Sequence, residues 1–155
     1  MLELISLAMV SQVFMQSALR YKSVFGERDM ESQNTLIEEG PNAGLYVTKE
    51  KYELYYTALD NLKKLEVYVA ENVLFLSKNT WYYLVGEYNM STYSAWLSGV
   101  NEHSILRLKT YFELNPDKTP DAVYVDKDNE AFAKIFCDQC GYRIDSDDGP
   151  IILVK

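Results

Sequence analysis

Two unbroken apolar runs, Val73-Leu74-Phe75-Leu76 and Ala122-Val123-Tyr124-Val125, constrain the fold of this chain more than any other feature. A strand with one wet face alternates apolar and polar residues. A run without alternation has to be covered on both faces. Each run ends in a polar turn, Ser77-Lys78-Asn79 and Asp126-Lys127-Asp128, and helical patterns lie before, between and after them. The two runs are therefore predicted to be adjacent or near-adjacent parallel strands, buried on both sides.

The helical patterns are explicit. Tyr52, Tyr55, Leu59, Leu62 and Leu65 recur at spacings of three and four behind Thr48, a helix-capping residue. Glu102 to Leu114 forms a second helix, with Ile105, Leu108, Tyr111 and Phe112 inward and Asn115-Pro116 as its stop. A third starts at Asp128 or Asn129, carries Phe132, Ile135 and Phe136, and closes at Gly141. Thr80 to Val85 reads as a short helix stopped by Gly86. Tyr142–Ile144 and Ile151–Val154 flank the turn Ser146-Asp147-Asp148-Gly149-Pro150 and are predicted to pair antiparallel. The expected architecture is a small open α/β sheet, mostly parallel and Rossmann-like, with helices on both faces and a C-terminal β-hairpin.

Two segments precede that sheet. Residues 1 to 19 are the most apolar stretch, yet Glu3 replaces the basic start of a signal peptide, and Ser6, Ser11, Gln12, Gln16 and Ser17 interrupt the run a full membrane span needs. This is read as an apolar N-terminal element, either an ordinary core element or the remnant of a span anchored by Arg20, Tyr21 and Lys22. Residues 26 to 44, punctuated by Gly26, Gly40, Pro41, Asn42 and Gly44, are loop-like, with 27 to 42 the most flexible stretch, and Leu45–Val47 is a short strand. Residues 20 to 155 form one α/β domain.

Composition excludes several functions. With 15 basic and 23 acidic residues the net charge is −8, and no basic cluster exists. Such a surface repels nucleic-acid backbones and anionic lipid head groups, so nucleic acid is not expected as a partner. The turn after the first apolar run, Ser77-Lys78-Asn79-Thr80, has none of the glycines that cradle a pyrophosphate, so no nucleotide cofactor is expected. The sequence contains no Gly-x-Ser-x-Gly elbow, and the one histidine, His103, opens a helix and suggests no triad. Cys137 and Cys140 have no second cysteine pair and only His103 to complete a tetrahedron, so no metal is expected. They close a helix rather than opening one, which is the wrong end for an activated redox pair. Asp147 and Asp148 read as turn residues, without the alternating ligands of a calcium loop.

Open α/β sheets bind ligands at the carboxyl ends of their strands. Here that crevice is walled by Lys78, Asn79, Trp81, Tyr93 and Trp96 on one side and by Asp126 and Lys127 on the other. Rings stack on sugars, and Asn, Asp and Lys bond hydroxyls, so a glycan or glycolipid head group fits this mixture. Trp81, Tyr82, Tyr83, Tyr88, Tyr93 and Trp96 can equally fill the layer between sheet and helices, and Asp128 can serve as a helix cap.

The order of features carries a resemblance. Gly40-Pro41-Asn42-Ala43-Gly44-Leu45-Tyr46 leads into a helix, followed by Val73-Leu74-Phe75, Trp81-Tyr82-Tyr83-Leu84 and Tyr93-Ser94-Ala95-Trp96. Leu106 to Asn115 with Pro116, Pro120-Asp121-Ala122-Val123-Tyr124-Val125 and Gly141-Tyr142 complete the pattern. It resembles the soluble domain after the last membrane span in bacterial polytopic proteins related to the C-type membrane glycosyltransferases, the relatives of dolichyl-phosphate-mannose protein mannosyltransferases. The likeness covers roughly residues 14 to 155 and rests on loose patterns of apolar and turn residues. It implies an extracytoplasmic domain without a complete active site, reaching the membrane through its parent protein and aiding glycan or acceptor recognition. In that family the catalytic acidic residues sit in loops of the membrane part and act on a lipid-linked sugar donor; the resemblance assigns no catalytic residue here. Two other readings stay open: a stand-alone α/β enzyme with its site at the strand ends, and a cytosolic interaction domain with a tyrosine-rich surface.

Overall fold

A computed structural model describes residues 2–22, 30–95 and 101–155. They fall into two compact units, Met1–Tyr56 and Thr57–Lys155. Gly26, residues 27–29 of the stretch predicted to be flexible, and Trp96 lie outside the described residues.

The first unit begins with α1 (Leu2–Lys22). Met9, Val10, Val13, Phe14, Met15 and Leu19 are each more than half exposed. At 100° per residue they are spread around the whole helix rather than along one stripe. Among the described residues no helix is long and apolar enough to cross a membrane. The loop-like stretch contains a small hairpin, β1 (Thr35–Leu36) against β2 (Tyr46–Val47). Gly44 takes φ +90°, where a side chain is costly, and its N–H donates to the Ile37 carbonyl at 2.9 Å. The first turns of α2 (Lys49–Lys63) hold this hairpin loop. The Tyr55 hydroxyl donates to the Glu39 carbonyl at 3.0 Å and accepts the Asn42 N–H at 3.3 Å. Thr48 accepts the Lys51 N–H, as its capping role requires.

The second unit is mixed α/β. It contains β3 (Asn72–Leu76), β4 (Asn89–Met90), α3 (Glu102–Leu114), β5 (Ala122–Val125), α4 (Glu130–Cys140), β6 (Arg143–Ser146) and β7 (Ile151–Val154). The five-stranded sheet runs β4-β3-β5-β7-β6. β3 is parallel to both β4 and β5, while β7 is antiparallel to both β5 and β6. The two apolar runs are thus neighbouring parallel strands, and the C-terminal hairpin forms. The sheet is mixed, because the hairpin folds its second strand, not its first, against β5. That choice follows burial: Ile151-Ile152-Leu153 is unbroken, whereas Arg143 and Asp145 charge β6 and suit it to the edge.

The pleat divides the core into two layers. Leu74, Leu76, Val123, Val125, Ile151 and Leu153 face α3 and α4, meeting Ile105, Leu108, Phe112, Ala133 and Phe136. Val73, Phe75, Ala122, Tyr124 and Ile152 face the other way, toward Leu62, Leu65 and Tyr82. Leu65 and Tyr82 sit on short 3-10 helices, Lys64–Tyr68 and Thr80–Leu84. Where β4 is too short to pair all of β3, the Tyr83 hydroxyl accepts the Phe75 N–H at 3.2 Å. α3 starts in a reciprocal box, with the Asn101 side chain accepting the Ser104 N–H and the Ser104 hydroxyl accepting the Asn101 N–H. The N-cap position of α4 is Asn129 rather than Asp128, and its side chain does not cap; being buried, it turns inward and donates to the Leu76 carbonyl at 2.8 Å.

The hairpin turn depends on Gly149. It takes φ +99°, and a Cβ there would lie 3.1 Å from Lys64 Nζ and 3.2 Å from Asn61 Oδ1. Lys64 donates to the Asp148 carbonyl beside it. Gly149→Ala is expected to lower stability by about 1–2 kcal/mol in urea unfolding; unchanged or increased stability contradicts this account of the turn.

Candidate functional site

β3 and β5 end in register, Leu76 beside Val125. The first residues past the two strands, Ser77 and Asp126, therefore meet. The Ser77 hydroxyl donates to Asp126 Oδ2, and the Tyr82 hydroxyl donates to Oδ1 at 3.2 Å. Asn79 completes the ring. Its backbone N–H donates to Ser77 Oγ at 2.9 Å and its Nδ2 donates to the Tyr82 hydroxyl oxygen at 2.9 Å. The connection after β3 is thereby tied to the connection after β5 through four residues.

The electrostatics follow from burial. Burial pushes the Asp126 carboxyl above its ordinary value; the Ser77 and Tyr82 hydroxyls pull it back, and Asp128 adds a smaller upward push. Burial, and then the Asp126 charge, push the Tyr82 hydroxyl up to about 12. Tyr124, buried with its ring 5.5 Å from that of Tyr82, is pushed higher still by the same desolvation. Both Asp126 oxygens accept hydroxyl protons, so this carboxylate orients neighbours and holds the strand ends.

Of the residues proposed from sequence, Asn79 and Asp126 are brought together, with Ser77 and Tyr82 between them. Lys78 and Lys127 are exposed on the two adjoining turns. Trp81 is half-buried, edge-on to Tyr82 at 4.7 Å, and packs on the layer containing Phe75. Tyr93 is partly exposed and meets Tyr111 of α3 at 6.0 Å, in the opposite layer. The two rings thus belong to different faces of the sheet. Trp96 cannot be placed, since it lies outside the described residues. Sequence reasoning did not assign Ser77 and Tyr82 to the site. The signal for Ser77 was present, since in-register parallel strands bring their first polar followers together. Tyr82 carried no such signal, because its direction depends on the 3-10 turn.

At the opposite end of the sheet, where α3 and α4 finish, a pocket of about 240 Å³ is lined by Lys109, Phe112, Glu113, Gln139, Cys140 and Tyr142, among others. Cys137 and Cys140 are free thiols on the last turn of α4. Burial raises both; Cys140 reaches about 11 although Lys109 pulls it down. Among the described residues no three His, Cys, Asp or Glu side chains are grouped to hold a metal.

Comparison with known protein families, with characterised proteins and with solved structures finds no match to this chain.

The raised Asp126 carboxyl has a signed consequence. Between the ordinary value of 3.8 and its higher folded value, the native state keeps a proton that the unfolded chain has lost. Stability from this group therefore falls as pH rises through that window. Asp126→Asn removes the titration, so the stability of the variant relative to wild type should improve as pH rises from about 3 to about 7; a pH-independent difference in urea unfolding contradicts it. The thiols give a second test. A thiol moved from 9.0 to about 11 loses roughly a hundredfold of its thiolate at pH 8. Cys140, isolated in Cys137→Ser, is expected to alkylate far more slowly than a small free thiol, with unfolding in urea restoring the rate.

Proposed function

We propose that this chain is a non-catalytic recognition domain that takes a neutral, hydroxyl-rich ligand, a glycan or glycolipid head group, at the carboxyl ends of β3 and β5. We further propose that it serves on the extracytoplasmic face of the bacterial membrane as part of a glycosyltransferase-like membrane protein. The observation that carries the binding reading is the Ser77–Asn79–Tyr82–Asp126 ring at two aligned strand ends. It holds the polar groups of two connections rigid, which lowers the ordering cost of binding. Exposed Lys78 and Lys127 and half-buried Trp81 flank it and offer directional hydrogen bonds and a stacking edge. A non-catalytic role is supported by Asp126, whose carboxylate oxygens are both engaged by internal hydroxyls.

The parallel half of the sheet, β4-β3-β5, supports the Rossmann-like description, with the antiparallel β7-β6 pair as an addition to it. The membrane reading is supported by the loose family resemblance and by the apolar side chains exposed around α1.

The test is a titration of oligosaccharides followed by backbone amide NMR. Shifts clustered at residues 78–82 and 126–128, weakened by Trp81→Ala and unchanged by Gln139→Ala at the far pocket, are the expected outcome. Silent amides there while another surface responds would return the ring to a purely structural role.

A further inference from the structure

The pocket where α3 and α4 finish holds two opposite charges that do not meet. Lys109 and Glu113 stand one turn apart on α3, and both line it. On a helix, a lysine placed one turn before a glutamate is the less favourable order for an ion pair. Among the described residues neither side chain forms an ion pair, with the other or with any other group. Both charges reach the thiol on the wall formed by α4: burial raises Cys140 most, Lys109 lowers it and Glu113 raises it. The pocket therefore presents a cation and a carboxylate that the protein leaves unneutralised.

The rest of the pocket suits a small molecule with an apolar body. Phe112 and Tyr142, both buried, supply its apolar wall. Tyr142 is fixed there, because its hydroxyl donates to the Pro120 carbonyl at 2.6 Å and its ring meets Phe136 edge-on at 5.2 Å. Lys155 Nζ lies over the same ring, 5.9 Å from its centroid. The side chains of Thr119 and Gln139 make no hydrogen bond among the described residues, so both are available to a ligand. Glu113 stands in the last turn of α3, and α4 ends at Cys140. The carbonyls that helices leave unpaired at such ends carry partial negative charge and favour a cation. A volume of about 240 Å³ falls below the roughly 300 Å³ at which drug-sized ligands begin, so the occupant is small.

We infer that this pocket binds a small amphipathic zwitterion, an α-amino acid with an apolar side chain. Its carboxylate pairs with Lys109, its ammonium with Glu113 and the helix-end carbonyls, and its side chain rests on Phe112 and Tyr142. A simple anion would face Glu113 and two helix ends, and a simple cation would face Lys109 and Lys155. A molecule carrying both charges satisfies both sides. The pocket lies at the end of the sheet opposite the Ser77–Asp126 ring and does not depend on the function proposed for that ring.

Three probes separate the charges: leucine, isocaproate (leucine without its amino group) and isoamylamine (leucine without its carboxylate). Each is titrated at neutral pH from about 0.1 mM to about 50 mM and followed by backbone amide NMR. Leucine is expected to give saturable shifts at residues 109–113 and 139–142 with Kd on the order of 1–10 mM, and each analogue should bind about tenfold more weakly. Leucine should also slow alkylation of Cys140 in Cys137→Ser, where it is the remaining thiol. Lys109→Met should weaken leucine about tenfold without weakening isoamylamine, and Glu113→Gln should weaken leucine without weakening isocaproate. Lys134→Met, at an exposed position of α4 outside the pocket, should leave leucine binding unchanged. Thermal unfolding confirms that each variant is folded. No saturable shift, either analogue binding as tightly as leucine, or leucine binding indifferent to Lys109→Met and Glu113→Gln overturns the inference.

Discussion

The second unit depends on the in-register parallel pairing of β3 and β5, two strands with apolar side chains on both faces. Burial on both sides removes water as a hydrogen-bond partner, so the backbone groups at the strand ends have to be met by the protein. The connections supply them. At the amino end, Asp121 Oδ2 accepts the Glu71 and Asn72 N–H groups. Beside the truncated β4, Tyr83 accepts the Phe75 N–H. At the carboxyl end, Asn129 donates to the Leu76 carbonyl. Each polar side chain comes from a connection next to the strand it completes, so sheet and connections stabilise one another.

This accounting changes the meaning of the polar residues at the carboxyl end. Asp126 sits where α/β sheets place functional carboxylates and is half-buried, but both its oxygens accept hydrogen bonds from the protein's own hydroxyls. Asn79 belongs to the same ring. Asn79 nevertheless stays exposed, as do Lys78 and Lys127, together with part of Trp81. Much of the aromatic cluster is likewise committed to packing: Phe75 is surrounded by Tyr82, Tyr83, Tyr88 and Tyr124, with ring centroids 4.6–6.0 Å away. A ligand at this end, as proposed, would meet these rim groups above the hydrogen-bonded Ser77–Asn79–Tyr82–Asp126 ring, an arrangement that suits a neutral hydroxylated molecule better than chemistry needing a free carboxylate.

The buried strands, α3, the closing glycine of α4 and the antiparallel hairpin were legible because each has a local cause: an unbroken apolar run, a capping residue, or a short turn. The position of β7 was legible in principle and was missed. Of the two hairpin strands, only Ile151–Leu153 can be buried on both faces, so it had to enter the sheet and leave Arg143–Ser146 at the edge. What local sequence does not contain is the direction of side chains on irregular turns. Trp81 and Tyr93 are twelve residues apart and both follow parallel strands, yet one packs with Phe75 and the other with Tyr111 across the sheet. The side chains of Tyr82 and Asn129 are equally hidden from periodicity, since their partners lie 44 and 53 residues away.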